Sequence, residues 1–139
     1  MPTRLVLVDS SAWIHFLRHG DSHPIATLLK TLLQQDMVAA IWLIRLELLS
    51  GTSTEEAYRA LDADLAALHQ LALSEALFQA ASVLRWQLHR HGVVVPVVDS
   101  LIAACAIYYG CALLHDDQHF RLIARYTPLH ILPLRALKR

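Results

Sequence analysis

The chain has 139 residues, 55% of them hydrophobic, which is enough to bury the core of one domain and to leave an apolar face for a partner. Twelve Lys and Arg residues balance twelve Asp and Glu residues, and this zero net charge argues against a strongly basic nucleic-acid-binding domain. The longest uncharged run, residues 100–114, is shorter than the roughly 18 residues that span a bilayer, so the sequence excludes a membrane helix there.

Short apolar strands alternate with helices in the first half of the chain. An all-apolar run with two valines is typical of a strand buried on both faces, and the Asp-Ser-Ser that follows it can cap a helix. Pro24 suits the first turn of a helix, and Ser50 with Gly51 ends another. The elements predicted here are a strand at 5–8, helices at 12–18 and 24–34, a strand at 37–40, a helix at 41–49, and a helix that begins within 52–56 and has its apolar face on Ala57, Leu61, Leu65 and Leu68.

The second half of the chain continues this alternation. Pro96 cannot donate a hydrogen bond to a sheet, so the valine-rich run 93–98 is predicted to be an extended loop. Strands that alternate with helices predict one α/β domain with a parallel sheet and helices on both faces. The other elements predicted here are a strand at 71–73, a helix from 74 to about 91, a helix from Asp99 to Tyr109 ended by Gly110, a strand at 112–114, a helix at 117–126 and a strand at 127–132.

Five acidic residues stand in strongly apolar sequence: Asp9 in LVLVDSS, Glu47 in LIRLELLSG, Asp99 in VVDSLIAA, and Asp116 with Asp117 in ALLHDDQHF. A carboxylate beside a hydrophobic core is costly unless a cation meets it. Asp9 and the Asp116-Asp117 pair follow predicted strands at their carboxyl ends, where open α/β sheets bind ligands, and the helices predicted to carry the other two lie near that edge. Carboxylates gathered there predict a site for a hard divalent cation such as Mg²⁺ or Mn²⁺.

Such a cation would change both the chemistry and the charge of the molecule. One or two ions can polarise a phosphodiester and lower the pKa of a water that attacks phosphorus. Neutralising five of the twelve acids leaves seven against twelve bases, a surplus of five positive charges. Ten of those bases are Arg, which suits bidentate phosphate contact, although a GC-rich genome would explain the Arg content equally well.

The ordered set of DSSAW, the Glu of LELLSG, the Asp of VVDSLIAACA, and LLHDDQHF resembles the motifs of the PIN-domain nucleases, and most of all those of the VapC-type toxins of bacterial toxin–antitoxin pairs. The likeness runs from about residue 5 to residue 133. It implies that residues 1–139 form a single PIN domain, a three-layer α/β fold with a central, mainly parallel sheet of four or five strands flanked by helices. The resemblance also implies the catalytic, metal-binding residues, which are Asp9, Glu47, Asp99 and Asp117, with Ser11 supporting the first of them by a hydrogen bond.

Two residues of the last motif depart from the family pattern. Family members often have a further Asp where this chain has His119, which could still reach a metal or a phosphate. Asp116 falls where the family is variable.

The resemblance implies a cytoplasmic, Mg²⁺-dependent endoribonuclease toxin, with Mn²⁺ as a possible substitute, that acts on RNA, forms a homodimer and is bound by a cognate VapB-like antitoxin. Two cysteines and the absence of a long apolar leader also predict the cytoplasm.

Simpler interpretations exist for these residues. Asp9 and Asp99 can be helix caps, Glu47 can pair with Arg45, and the two adjacent aspartates can be surface charge. The nine histidines, without cysteine partners or an HExxH motif, are interpreted as surface or core residues rather than zinc ligands. Core or interface positions are predicted for Trp13, Trp42 and Trp86, and a solvated tail for Arg135, Lys138 and Arg139.

Three other functions compete with the toxin hypothesis. The first is a PIN nuclease in RNA processing or DNA repair, which harmless overproduction would favour. The second is a signalling receiver domain, since LVLVDS resembles its first strand, but that fold requires a downstream Lys and neither Lys30 nor Lys138 is suitably placed. The third is an inactive scaffold, which would lack one of the four acids.

Overall fold

The structure, a computed structural model, describes residues 4–134 of the chain apart from the side chain of Asp21. Strands alternate with helices along the described chain. The strands are β1 (Val6–Val8), β2 (Val38–Ala40), β3 (His69–Gln70), β4 (Ala112–Leu114) and β5 (His130–Ile131). The helices are α1 (Ser10–His19), α2 (Pro24–Gln34), α3 (Trp42–Ser50), α4 (Glu55–Ala66), α5 (Glu75–Arg90), α6 (Val97–Tyr109) and α7 (Gln118–Tyr126), with a short 3₁₀ helix at Gly20–Ser22.

The described strands form one parallel sheet in the order β3-β2-β1-β4-β5. From β1 the chain leads outward to β2 and β3, and it then returns to β4 on the other side of β1. The direction of the connections therefore reverses between β1 and β4. Open α/β sheets bind ligands in the crevice beyond the carboxyl ends of the strands at such a point.

Helices cover both faces of the sheet centre. All residues of β1 and β4 are buried, whichever face their side chains point to, because helices cover both faces of these central strands. The two strands pair from Val6–Ala112 to Val8–Leu114. Phe120 and Ile123 of α7 are also fully buried in this core. The predicted α/β fold with a mainly parallel sheet of four or five strands is confirmed, and the described sheet has five strands, all parallel.

Four predicted elements differ from the structure in their details. The edge strand β3 lies at His69–Gln70 instead of 71–73, and Leu71 only extends the pairing through one hydrogen bond to β2. Helix α6 begins at Val97, directly after Pro96, because a helix's first residues need no hydrogen-bonded N–H. The last strand is limited to β5, and Ala57 on α4 is exposed instead of facing the core.

The surface of the described chain carries several large apolar side chains. Trp13 is buried in the core, as predicted, while Trp42 and Trp86 are 58% and 60% exposed, so that an interface position stays a prediction for these two. None of the helices in residues 4–134 combines the length and the apolar character needed to cross a membrane. The predicted tail of Arg135, Lys138 and Arg139 lies outside the described residues.

Candidate active site

Asp9 occupies the point where β1 ends and α1 begins. Its backbone N–H donates to the carbonyl of Leu114 at the end of β4, and its side chain caps α1 by accepting a hydrogen bond from the Ser11 N–H at 3.1 Å. The carboxylate also accepts a bond of 2.6 Å from the Ser11 hydroxyl, and the residue is only 5% exposed. The N-terminus of α1 and these two donors stabilise a negative charge at this position.

Ser11 joins the ends of the two central strands. While its hydroxyl donates to Asp9, the same oxygen accepts a hydrogen bond of 2.9 Å from the Asp116 N–H after β4. The Asp116 side chain turns away to the His15 ring, where Oδ2 lies 2.6 Å from Nε2. The carboxylates of Asp116 and Asp117 therefore take different directions: Asp116 contributes a backbone donor to the Ser11 contact, while its carboxylate pairs with a histidine of α1.

Asp99, Asp117 and His119 lie together on the other side of the crevice. Asp99 stands on the first turn of α6 with a side chain that is 14% exposed, and its Oδ2 lies 2.9 Å from the Nδ1 of His119. Asp117 caps α7, and its Oδ1 accepts the His119 N–H at 2.9 Å and lies 3.1 Å from the same Nδ1. One ligand atom from each of these three residues lies within 4.8 Å of the other two.

His115 fixes the backbone at the start of α7. It is buried directly after β4, and its Nδ1 accepts a 3.0 Å hydrogen bond from the Asp117 N–H. Burial lowers the pKa of this imidazole most and the nearby Arg121 lowers it further, against the opposing effect of the neighbouring aspartates, which favours the neutral ring that can accept that bond. The sequence placed this histidine beside the last acids but did not reveal this role.

Glu47 reaches the site from α3. Its Oε1 accepts a hydrogen bond of 3.3 Å from the Ser10 hydroxyl on α1. Although the residue is exposed, partial burial of its carboxylate raises its pKa, Asp9 raises it next, and Asp99 adds a smaller effect, against the opposing Ser10 bond. The negative charges of two other predicted ligands, Asp9 and Asp99, therefore repel that of Glu47.

Asp99 experiences the same repulsion. Burial raises its pKa most, Asp117 raises it next and Asp9 adds to the effect, while the His119 contact opposes them. Among residues 4–134 no Arg or Lys forms an ion pair with Asp9, Glu47, Asp99 or Asp117. Charge repulsion thus links the four predicted acids, and His119 relieves only part of it at Asp99. Of the four, Asp99 and Asp117 have ligand atoms within 4.8 Å of each other, and such a group of carboxylates suits a hard divalent cation.

Comparison with known sequences agrees with this arrangement. The model of the PIN domain family matches residues 6–126. Two relatives, the VapC ribonuclease Mb1587 of Mycobacterium bovis and the ribonuclease VapC11 of Mycobacterium tuberculosis, are each 32% identical to this chain over 135 residues. Each alignment covers 94% of this chain and the full length of the relative.

Solved structures share the fold at lower identity. The VapBC2 complex of Rickettsia felis bound to a promoter DNA fragment contains a chain with a TM-score of 0.73 and 20% identity, which covers 92% of this chain and 97% of that one. VapBC-1 of nontypeable Haemophilus influenzae gives 0.74 and 18%, covering 94% and 98% of the two chains. With its sheet, its acidic crevice and these alignments, the chain belongs to the PIN-domain family, in the group of the VapC ribonucleases.

Proposed function

We propose that this protein is the toxin of a toxin–antitoxin pair, an endoribonuclease that hydrolyses RNA phosphodiesters with Mg²⁺ or, as a possible substitute, Mn²⁺. In this proposal Asp9, Glu47, Asp99 and Asp117 hold one or two ions, and Ser11 supports Asp9. The observation that carries it is the raised pKa of Glu47 and Asp99, each caused in part by the other acids of the group. The ribonuclease names of the 32% identical relatives support it.

The donor set fits a hard cation. Four carboxylates supply oxygen ligands, and among the described residues no Arg or Lys pairs with them, although His119 contacts Asp99 and Asp117. When bound, the ion would polarise the phosphodiester and provide a nucleophilic water at neutral pH.

The chain's own residues prepare that site. The N–H and the hydroxyl of Ser11 both donate to the Asp9 carboxylate and orient it. His115 holds the backbone of Asp117, and the buried Phe120 anchors the helix that follows. The ligands therefore stand on rigid elements around one crevice, where little rearrangement is needed to bind the ion.

The change Asp9→Asn tests the proposal because it keeps the size and the helix cap but removes one charged ligand. We expect at least about a 100-fold loss of RNA cleavage, which corresponds to about 2.7 kcal/mol of activation free energy. Asp36→Asn is the matched control, since Asp36 is exposed and has a left-handed backbone (φ 57°) that Asn tolerates. Undiminished cleavage by the Asp9 variant, or by the wild type in EDTA, would contradict the metal mechanism.

Expression in cells separates the toxin from a nuclease of RNA processing or DNA repair. Induced wild-type protein should arrest growth, the Asp9 variant should not, and a VapB-like antitoxin encoded beside it should relieve the arrest. Harmless wild-type overproduction would favour the processing or repair role.

We further propose that the protein is a cytoplasmic homodimer. The exposed Phe78, Val83 and Trp86 of α5 support this proposal, because they offer an apolar face to a partner. Light scattering of the purified protein would detect the dimer.

A further inference from the structure

The geometry points to His119 as a direct ligand of the ion, through Nδ1, which would make the centre a mixed nitrogen–oxygen site that favours Mn²⁺ over Mg²⁺. This inference rests on the proposed metal-dependent function and refines it. His119 stands where members of the family often have a further Asp.

The distances around Nδ1 match those between neighbouring ligands of one octahedral ion. Nδ1 lies 2.9 Å from the Asp99 Oδ2 and 3.1 Å from the Asp117 Oδ1. An octahedral ion with bonds of about 2.1 Å places adjacent donor atoms about 3.0 Å apart. Nδ1 therefore already has the spacing of an adjacent ligand to each carboxylate oxygen, and the ligand atoms of the three residues all lie within 4.8 Å of one another. On binding, the lone pair of Nδ1 would face the ion.

The backbone holds the ring in this position. His119 is the second residue of α7, and its N–H donates to the side chain of Asp117, which caps the helix. The next residue, Phe120, is fully buried and fixes the first turn of α7. The His119 side chain is 34% exposed. A histidine that binds an ion through Nδ1 does so as a neutral imidazole with its proton on Nε2.

An imidazole ligand changes the choice of metal. Mg²⁺ prefers oxygen ligands and keeps several waters, whereas imidazole nitrogen is a good ligand for transition metals. With Asp in this place the site would be entirely oxygen. We therefore expect the ratio of Mn²⁺ to Mg²⁺ affinity to be higher in this chain than in its His119→Asp variant, by on the order of tenfold.

Pulsed electron paramagnetic resonance of Mn²⁺ bound to the full-length protein tests the ligand directly. A coordinated imidazole couples its ¹⁴N nucleus to the manganese electron spin, so the wild type should show nitrogen modulation. His119→Asp should bind Mn²⁺ without that modulation and lose the preference for Mn²⁺ in competition with Mg²⁺. His89→Asp, a change at an exposed position on α5, should leave both unchanged.

The outcomes separate this inference from the function on which it rests. Bound Mn²⁺ without nitrogen modulation in the wild type would overturn direct ligation, and it would leave a metal-dependent nuclease in which His119 only holds the carboxylates by hydrogen bonds. Modulation that persists in His119→Asp would assign the nitrogen to another residue and overturn the inference as well. Failure to bind either ion, with cleavage resistant to EDTA, would instead overturn the proposed function. If the Asp variant does not fold, as judged by circular dichroism, His119→Gln carries the same comparison.

Discussion

Without a bound ion, the negative charge of Asp99 lowers the stability of the folded protein. The side chain is largely buried on α6, and burial, Asp117 and Asp9 all raise its pKa, while the His119 contact opposes part of the effect. At neutral pH its negative charge is therefore less favourable in the folded state than in the unfolded chain. A bound cation would remove that penalty.

We predict that Asp99→Asn stabilises the metal-free protein at pH 7. Asn keeps the size and an acceptor for His119 but removes the charge, and the melting temperature should rise by about 3 °C. Magnesium at about 100 times its Kd should add about 2.7 kcal/mol to the free energy of unfolding of the wild type and much less to the variant. Thermal melts with and without MgCl₂ measure both effects, and a lower melting temperature of the metal-free variant would show that repulsion is not dominant.

Helix ends decide how the elements connect, and α6 shows this clearly. Gly110 closes α6 with a left-handed backbone (φ 68°), and its N–H bonds to carbonyls of the last turn. The next residue, Cys111, bonds back to Ala106 at 2.8 Å, and the chain enters β4 immediately afterwards. This turn therefore sets the position of β4 beside β1 and, with it, the acids that follow.

We predict that Gly110→Ala destabilises the fold by about 1 kcal/mol, because an L-residue pays that cost in a left-handed conformation. Apart from the adjoining residues, no atom of the described chain lies within 4 Å of the added methyl group, so the cost should come from the backbone conformation. Gly51→Ala is the matched control at another helix end, where φ is −87° and Ala is unstrained. Urea unfolding measures both changes, and equal stabilities of the two variants would contradict the argument.

Local chemistry explains which elements the sequence could predict. Pro24, Ser74 and Gly110 stand where the structure begins or ends helices, because their preferences act within one turn. The edge strand β3 was misplaced because its two exposed residues have no apolar pattern and are defined only by their pairing with β2. For the same reason the sequence could not show that Asp116 turns to His15, since that contact depends on where α1 lies in the fold.

The sequence predicts which acids belong to the candidate site but not how each of its residues acts there. An acid that follows an apolar strand or begins a helix in apolar surroundings is visible in sequence, and the structure places Asp9, Glu47, Asp99 and Asp117 near enough for charge repulsion to link them. Their roles as ligands stay predictions. The hydrogen bond by which His115 holds the Asp117 backbone could not be predicted, because the sequence alone does not distinguish a buried histidine from one on the surface.

At the scale of the whole molecule, burial in the core favours the neutral form of the Cys105 and Cys111 thiols. Cys105 is fully buried, and burial raises the pKa of its thiol to about 12, with Cys111 adding to the effect. A free thiol in the unfolded chain has a pKa of about 8.5. The stability from this difference is fully present below that value and is lost as the pH rises towards 12, because the unfolded chain then releases a proton that the folded protein retains.

We predict that the wild type loses stability faster than Cys105→Ala above pH 9. The difference in the free energy of unfolding should change by about 1.4 kcal/mol per pH unit between pH 9 and 11. Comparing the two proteins cancels the titration of their other groups, and urea unfolding at a series of pH values provides the measurement. Parallel curves for the two proteins would mean that the thiol ionises as easily inside the fold as outside it.

The assembly of the crevice from distant segments has a consequence for the newborn polypeptide. Asp9 directly follows the first strand, whereas Asp117 caps the last helix of the described chain. A ribosome must therefore translate the whole segment from Asp9 to Asp117 before the final carboxylate exists, and β4 must dock beside β1 before that carboxylate is in place. If the proposed activity is correct, a translation product interrupted before Asp117 lacks one of the proposed ligands and is inactive.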